Sequence, residues 1–508
     1  MLAQAHTFTI QGSRARHVLV ELDVRPGLPA FTIVGLADAA VREARERIQA
    51  AIRNCGFEFP ARRITANLAP SDLPKAGAGL DLAIACAILA ATGQLEPERL
   101  RDIALFGELA LDGRVRASHG TLAVAHAARG CGLRRLAVAR SSAWEAGLIE
   151  DLDVAPVAGL ESAVRVLRGG PADSAGESVP PVRRQETCVL PLPDLADVRG
   201  QAHAVGALVI AAAGGHSILM SGPPGTGKTM LARRLPSILP PLSRGEAIET
   251  MLVASSAGAP AGELARERPF RAPHHSISAA GLVGGAGGGS IGEVVRAHRG
   301  VLFLDELSEF TRPALEALRQ PLEDGQVTIA RASHAAVHPA RFMLVAATNP
   351  CPCGYASEPE RCRCSAGELA RHARRLSGPL LDRIDLHVSL GPSGSDNASL
   401  QTMSSDEARE RVIAARARQA RRLASEGVSV NAEMDARMLR ERLRLEDSGR
   451  RLLEGASAVG LLSARGSHRV LQVARTLADL DGSGRVRARD VGAALAFRGG
   501  GPGGSIRQ

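Results

Sequence analysis

The sequence predicts an α/β protein centred on a parallel sheet with a phosphate-binding loop, followed by an all-α block and preceded by a separate N-terminal block. Three observations predict this. The apolar run HSILMS (216–221) leads into the glycine-rich SGPPGTGKT (221–229), with a helix expected from Thr229. Two more apolar runs, VLFLDEL (301–307) and FMLVAATN (342–349), each end in polar residues. Segments such as SSDEARERVIAARARQARRLASEG and SHRVLQVARTLADL keep helical spacing through residues 405–498. Strands alternating with helices imply parallel pairing, with chemistry at the strands' carboxyl ends.

The length of 508 residues exceeds one core and suggests about three domains. GGPADSAGESVPPVRRQETCVLPLP (169–193) reads as a linker, and GGGPGGSIRQ (499–508) as a disordered tail. Blocks at 1–168, 194–392 and 405–498 remain. Aromatic residues are only 2% of the chain, which argues against base-stacking platforms. A net charge of +9 favours a polyanionic partner, nucleic acid first. No signal-peptide pattern opens the chain, and the apolar run LDLAIACAILAA (80–91) is short of the roughly 20 residues of a membrane span. A cytoplasmic protein without membrane contact is expected. Cys55, Cys86, Cys131 and Cys188 are scattered and read as reduced thiols.

Gly222, Pro223, Pro224, Gly225, Thr226, Gly227, Lys228 and Thr229 match the phosphate-binding loop, Gly-x4-Gly-Lys-Thr, between strand and helix. Its glycines let backbone N–H groups wrap the phosphates. Lys228 is one of two lysines against sixty arginines. The loop admits one compact ammonium, where a planar guanidinium is too wide. Thr229 and Asp305 are the candidate Mg²⁺ ligands. Glu306, next along, is placed to orient and deprotonate an attacking water.

With these motifs the chain resembles the AAA+ ATPases, which implies ATP as the nucleotide. Asn349, ending FMLVAATN, is similar to their first sensor. LSGPLLDRIDLHV (376–388) resembles the segment carrying the arginine finger, so Arg383 is expected at a neighbouring subunit's γ-phosphate. GLLSARGSHRVLQVARTLADL (460–480) resembles the second-sensor helix, with Arg465 the best fit and Arg469 one turn on as the alternative. ADVRGQ (196–201) is similar to the strand that packs near the adenine. A finger acting between subunits implies a ring, a homo-hexamer.

RPFRAPHHSIS (268–278), GVLFLDELSEF (300–310), RQPLEDGQVTIAR (319–331), NPCPCG (349–354) and SGPLLDRIDLHV (377–388) together resemble the ComM/YifB family of magnesium-chelatase-like AAA+ ATPases, over nearly the whole chain. The resemblance implies a hexameric DNA helicase that drives branch migration as incoming strands are integrated during natural transformation. Its partners would be single-stranded or branched DNA and other recombination proteins. The alternative is a magnesium-chelatase-type motor subunit.

EDGQVTIARASHAAVHPARFMLVAA (323–347) reads as a hairpin inserted before the first-sensor strand, with Gly325 for a turn, then a β-run, a polar tip and β again, and with Arg331 and His334 near the tip as candidate DNA contacts. GLVGGAGGGSIGEVVRAH (281–298) reads as a mobile pore loop, lacking the Pro-rich, basic character usual in the family. His274 and His275 read as structural or substrate-loop residues rather than metal ligands. Cys351, Cys353, Cys362 and Cys364 lie within fourteen residues and suggest a closed tetrahedral Zn²⁺ site, although C-x-C spacing strains a shared tetrahedron. Zinc there would present Arg361, Arg363, Arg371, Arg374 and Arg375 as a DNA-facing strip.

GFEFPARRITANLAPSDLPKAGAGLDLAIACAILAATG and LFGELALDGRVRA resemble the proteolytic domain of Lon, an α+β domain of the ribosomal S5-type superfamily. Pro74-Lys75-Ala76-Gly77-Ala78-Gly79 places a glycine where that protease has its nucleophile, and SHGTLAVAHAA supplies no dyad lysine. Acyl transfer is not expected. The fold class implied is therefore α/β: an AAA+ P-loop parallel sheet with a C-terminal all-α lid, preceded by a non-catalytic Lon-protease-like α+β domain.

Overall fold

Alternation builds the N-terminal sheet. In β2 (Arg14–Arg25) every second side chain, Val18, Val20, Leu22 and Val24, turns inward. Its partner β1 (Leu2–Gln11) runs antiparallel, in register from Leu2↔Asp23 to Gln11↔Arg14. Gly12 makes the turn at φ +62°, and a Cβ there would lie 2.5 Å from the ring of His338. With β3 (Ala30–Val34), β4 (Arg63–Ala69), β5 (Ile103–Phe106), β6 (Arg135–Ala139) and β7 (Asp153–Val157), the order is β3-β4-β2-β1-β5-β6-β7. β2 is antiparallel to β1 and β4, and the other neighbours pair in parallel.

The computed structural model describes residues 2–75, 77–174, 193–257, 264–285, 291–330, 335–356, 358, 360–376, 378–391 and 403–499. They form two compact units, one of Met1–Thr187, Ala247–Leu264 and Thr328–His338, the other of Cys188–Glu246, Ala265–Val327 and Pro339–Gln508. The run DLAIACAILAA becomes the helix Asp81–Ala91, buried at every position in the first unit. Such an all-apolar helix belongs inside a domain. Among the described residues no helix is long and apolar enough to cross a membrane. Asp81 takes two hydrogen bonds from Arg47, at 2.9 and 3.2 Å. Burial still pushes its carboxyl up to about 6, against the pull of Arg47.

Gly79 has no room for a side chain, because a Cβ there would meet the Phe106 ring at 2.3 Å. Lys75 is fully buried and donates to the carbonyl of Pro70. Ala76 lies outside the described residues.

The second unit holds five parallel strands: β8 (Ile218–Ser221), β9 (Phe270–Arg271), β10 (Val301–Leu304), β11 (Met343–Thr348) and β12 (Leu386–Ser389), in the order β9-β10-β11-β8-β12. β8, β10 and β11 are buried at every residue, as strands covered on both faces must be. Ser221 pairs with Thr348 and Leu304 with Ala346, so the carboxyl ends of these three strands come out nearly level.

Residues 196–201 depart from expectation. Asp194 accepts from the Ala196 N–H and closes a 3₁₀ turn, Leu195–Asp197, with no strand after it. From Ser405 onward the described elements are helices, Ser405–Leu423, Ala436–Arg442, Asp447–Ala458, Ala464–Leu480 and Ala488–Gly499, with a short 3₁₀ turn at Asn431–Glu433. Four of them share one apolar core with the sheet and with helix Ala202–Gly214, while Met438 and Leu439 of Ala436–Arg442 pack with Leu423 and Met434 in a smaller cluster. Polar groups cross that core too: His216 meets Thr476 at 2.7 Å, and Gln419 donates to the Ala213 carbonyl at 3.1 Å.

Gln326–Ala330 and Ala335–Pro339 form the two-stranded hairpin, entered just after Gly325, which closes the helix Arg319–Asp324 at φ +63°. Its tip, with Arg331 and His334, lies outside the described residues. So do 286–290 of the glycine-rich segment, 175–192 of the linker and 500–508 of the tail.

Candidate active site

β8 delivers the chain into the loop Gly222–Gly227, and Lys228 opens the helix Lys228–Ala232. Gly222 is required by space, since a Cβ would come within 2.6 Å of the Leu390 carbonyl oxygen. Gly225 is required by conformation, at φ +80° with open space around it. Thr226, buried, donates to the Pro223 carbonyl at 2.9 Å and braces the loop. The Lys228 ammonium has three acceptors: the carbonyls of Gly222 and Pro223 at 2.6 and 2.8 Å, and Oδ1 of Asn349 at 3.1 Å. Burial lowers its pKa, and the charge of Asp305 opposes this.

Strand order explains how Asn349 arrives there. β11 lies between β8 and β10, so the residue following Thr348 emerges between the phosphate loop and Asp305. Thr229 Oγ1 donates to Asp305 Oδ2 at 2.7 Å, and the other carboxylate oxygen accepts from the Glu306 N–H at 3.0 Å. A hydroxyl and a carboxylate in contact are a hard-oxygen pair of the kind Mg²⁺ takes.

Glu306 has φ +51°, in the left-handed region that a non-glycine residue rarely enters. Its half-exposed carboxylate meets His275 Nδ1 at 3.3 Å. The rings of His274 and His275 lie tilted against each other with centroids 4.0 Å apart, and His275 meets Phe310 edge-on. Among the described residues neither histidine belongs to a cluster able to hold a metal.

Arg383 and Arg465 sit elsewhere. Arg383, mostly buried, pairs with Glu323 at 2.7 Å and donates to the Pro379 carbonyl at 2.6 Å. Arg465, exposed, reaches the same Glu323 oxygen at 3.1 Å. Arg469 instead pairs at 3.3 Å with Asp385, which also accepts from the Ser217 N–H and meets His216. Burial works against the Asp385 carboxylate, but Arg469 and His216 hold its pKa below the ordinary value. Among the described residues no hydrogen bond or ion pair links Arg383 or Arg465 to Lys228, Thr229, Asp305 or Glu306.

Comparison with known proteins places the chain in a family. Family profiles match for "Magnesium chelatase, subunit ChlI" at residues 194–398, "Subunit ChlI of Mg-chelatase" at 20–142 and "Magnesium chelatase, subunit ChlI C-terminal" at 402–498. A Mycobacterium tuberculosis protein is 44% identical over 502 residues, 98% of each chain. YifB of Escherichia coli K12 is 41% identical over 501 residues, 98% of this chain and 97% of its own. Competence protein ComM of Haemophilus influenzae is 42% identical over 509 residues, with the same coverage. The chain belongs to the ComM/YifB family of magnesium-chelatase-like AAA+ proteins.

In this ComM/YifB chain the four clustered cysteines stand directly beside the loop. Sγ of Cys351 lies 3.3 Å from that of Cys353 and 4.0 Å from that of Cys362, and Cys353 and Cys362 are 3.7 Å apart. All four sulfurs fall within 4.8 Å of one another, a group able to hold a metal. Backbone N–H groups of Tyr355 and Arg363 bring the Cys353 thiol down to about 6. Gly354, at φ +88°, touches the phosphate loop, for a Cβ there would lie 2.4 Å from Pro224 Cδ. Helix Ala366–Arg375 follows, and His372 on its buried side meets the Asn349 carbonyl at 3.0 Å.

Glu323 and His372 escaped the sequence reading, as did the contact of His275 with Glu306. Only the pair of histidines in RPFRAPHHSIS drew notice there, without its carboxylate partner.

Proposed function

We propose that this ComM/YifB protein is an ATP-dependent hexameric DNA motor, a helicase that promotes branch migration when incoming strands recombine during natural transformation. The observation that carries the ATPase half is the meeting of Lys228, Thr229, Asp305 and Asn349 at the ends of three adjacent strands. The loop from Gly222 to Gly227 cradles the phosphates with its N–H groups, and Lys228 exchanges its carbonyl partners for phosphate oxygens. Thr229 and Asp305 would hold Mg²⁺, which when bound neutralises phosphate charge. Asn349 orients the γ-phosphate and the attacking water, and Glu306 takes that water's proton. Arg383 supplies positive charge to the γ-phosphate of the neighbouring protomer, and Arg465 serves as the second sensor. Their convergence on Glu323 supports a shared role, whereas Arg469 is committed to Asp385.

The DNA half is supported by the net charge of +9 and by likeness to a protein named for competence. Arg331 and His334 are the proposed grip on the DNA backbone. The reading places this work on DNA within the cytoplasm, without a membrane. The purified protein is expected to assemble with ATP, hydrolyse it faster with single-stranded or branched DNA, and move a synthetic four-way junction. A monomer whose turnover ignores DNA would defeat this reading and leave the chelatase-type motor subunit.

We propose Zn²⁺ at Cys351, Cys353, Cys362 and Cys364. A tetrahedron with Zn–S bonds of about 2.3 Å has sulfur–sulfur edges of about 3.8 Å. The separations among Cys351, Cys353 and Cys362, 3.3 to 4.0 Å, bracket that edge, and Cys364 lies within 4.8 Å of the other three, which supports a shared ion despite the C-x-C spacing. Elemental analysis is expected to find one zinc per chain, lost in Cys353→Ser/Cys362→Ser. Stripping the metal should lower the melting temperature by several degrees, because folding and binding are coupled. Zinc-free protein that melts unchanged when zinc is added would refute the site.

A further inference from the structure

The helix Ala366–Arg375 joins three parts of the molecule. Ser365 caps it in a capping box with Glu368, one residue after Cys364. His372 on one side meets the Asn349 carbonyl. Arg371, Arg374 and Arg375, spaced i, i+3 and i+4, share another side and are exposed. With Arg312, Glu309 and Thr311 they line a cavity of about 440 Å³. Four guanidinium groups face one carboxylate there. Among the described residues Arg312, Arg371 and Arg374 have no ion pair. Arg375 alone is engaged: its Nη1 meets both Glu309 oxygens, at 3.0 and 3.1 Å, and the Ser308 carbonyl at 3.3 Å.

We infer that this cavity binds the sugar–phosphate backbone of single-stranded DNA and reports its presence to Glu306. The inference rests on the DNA-motor reading and names the contact through which DNA would act on hydrolysis. Arg371 starts roughly 5–6 Å from both Arg374 and Arg375, one turn on, so the charge extends along the helix face over a span suited to successive phosphates of a strand. An array of this kind reads charge rather than base identity, as a motor crossing any sequence requires. The route to the catalytic group is short. Ser308 and Glu309 belong to the 3₁₀ turn that follows Glu306 directly. Arg375 therefore anchors the turn on which Glu306 holds its left-handed backbone. The Arg375–Glu309 pair is exposed and contributes little, so a DNA phosphate displaces Glu309 from Arg375. The turn is released, and Glu306 gains freedom to leave His275. Through His372 the same helix bears on Asn349.

The test uses the full-length protein with a labelled oligothymidylate and a mixed-sequence strand of equal length. Arg371→Ala/Arg374→Ala is compared with wild type by fluorescence anisotropy across salt concentrations and by ATP turnover with and without DNA. Each lost phosphate contact should reduce the slope of log affinity against log salt by about 0.7, hence about 1.4 for the pair. Affinity should fall by the same factor for both strands, and stimulation by DNA should fall toward onefold. Glu309→Gln, which weakens the clasp, should raise DNA-free turnover severalfold. Wild-type slope and stimulation in the double variant would overturn this site while leaving the motor standing. Unchanged DNA-free turnover in Glu309→Gln would overturn the link to Glu306. A wild-type protein that neither binds DNA nor responds to it would overturn both readings. Melting curves of each variant establish that it is folded, as expected for exposed side chains.

Discussion

Lys228→Ala should cut ATP turnover by roughly three orders of magnitude, the loss seen when a preorganised charge donor is removed from a reacting oxyanion. Lys228→Arg should fare little better. The ammonium fits among three acceptors within 3.1 Å, in a loop whose backbone cannot retreat because Gly222 already lies against Leu390. A guanidinium is planar and forked, and in that space it would displace either Asn349 or the loop carbonyls. Steady-state phosphate release, with nucleotide affinity measured separately, checks this. An arginine variant that turns over at the wild-type rate would show that the loop is less tightly shaped than these distances indicate.

Glu306→Gln should lower turnover by about 10²- to 10⁴-fold, the contribution typical of a positioned general base, while ATP affinity stays within a few-fold. Glutamine keeps the size and the contact with His275 but takes no proton. The separation of binding from turnover is the informative result. Asp305, not Glu306, touches Thr229, so nucleotide and Mg²⁺ binding should survive the change. A parallel loss of affinity would move Glu306 from proton transfer to metal binding. Rapid-quench hydrolysis and equilibrium binding of a fluorescent ATP analogue give the two numbers.

What could be read from sequence was whatever chemistry is local. The phosphate loop is a contiguous motif with a strand before and a helix after it, and the polar ends of VLFLDEL and FMLVAATN mark strand termini directly. Their juxtaposition follows from a strand order that no local period encodes, with β11 inserted between β8 and β10. Contacts made by single side chains across long stretches stayed hidden for the same reason. Glu323 reaches Arg383 and Arg465, 60 and 142 residues on (383 − 323 and 465 − 323), and His275 reaches Glu306. The extended segment expected at 196–201 was lost to local competition, since Asp194 satisfies the backbone in a tight turn instead. The choice between Arg465 and Arg469 rested on helix offset alone. Burial of Asp385 is the tertiary fact that occupies Arg469.

The ring of Phe106 packed over Gly79 bears on the history of the N-terminal unit. A hydroxyl-bearing residue arising at 79 would overfill the site, at a cost of typically 1–3 kcal/mol. Shrinking Phe106 first would open a void in a core where that ring is 4% exposed, at about 3–5 kcal/mol. Neither order of mutation offers a neutral intermediate. A lineage carrying this pair stands on the far side of a fitness valley, and placing a hydroxyl at 79 requires two coordinated changes.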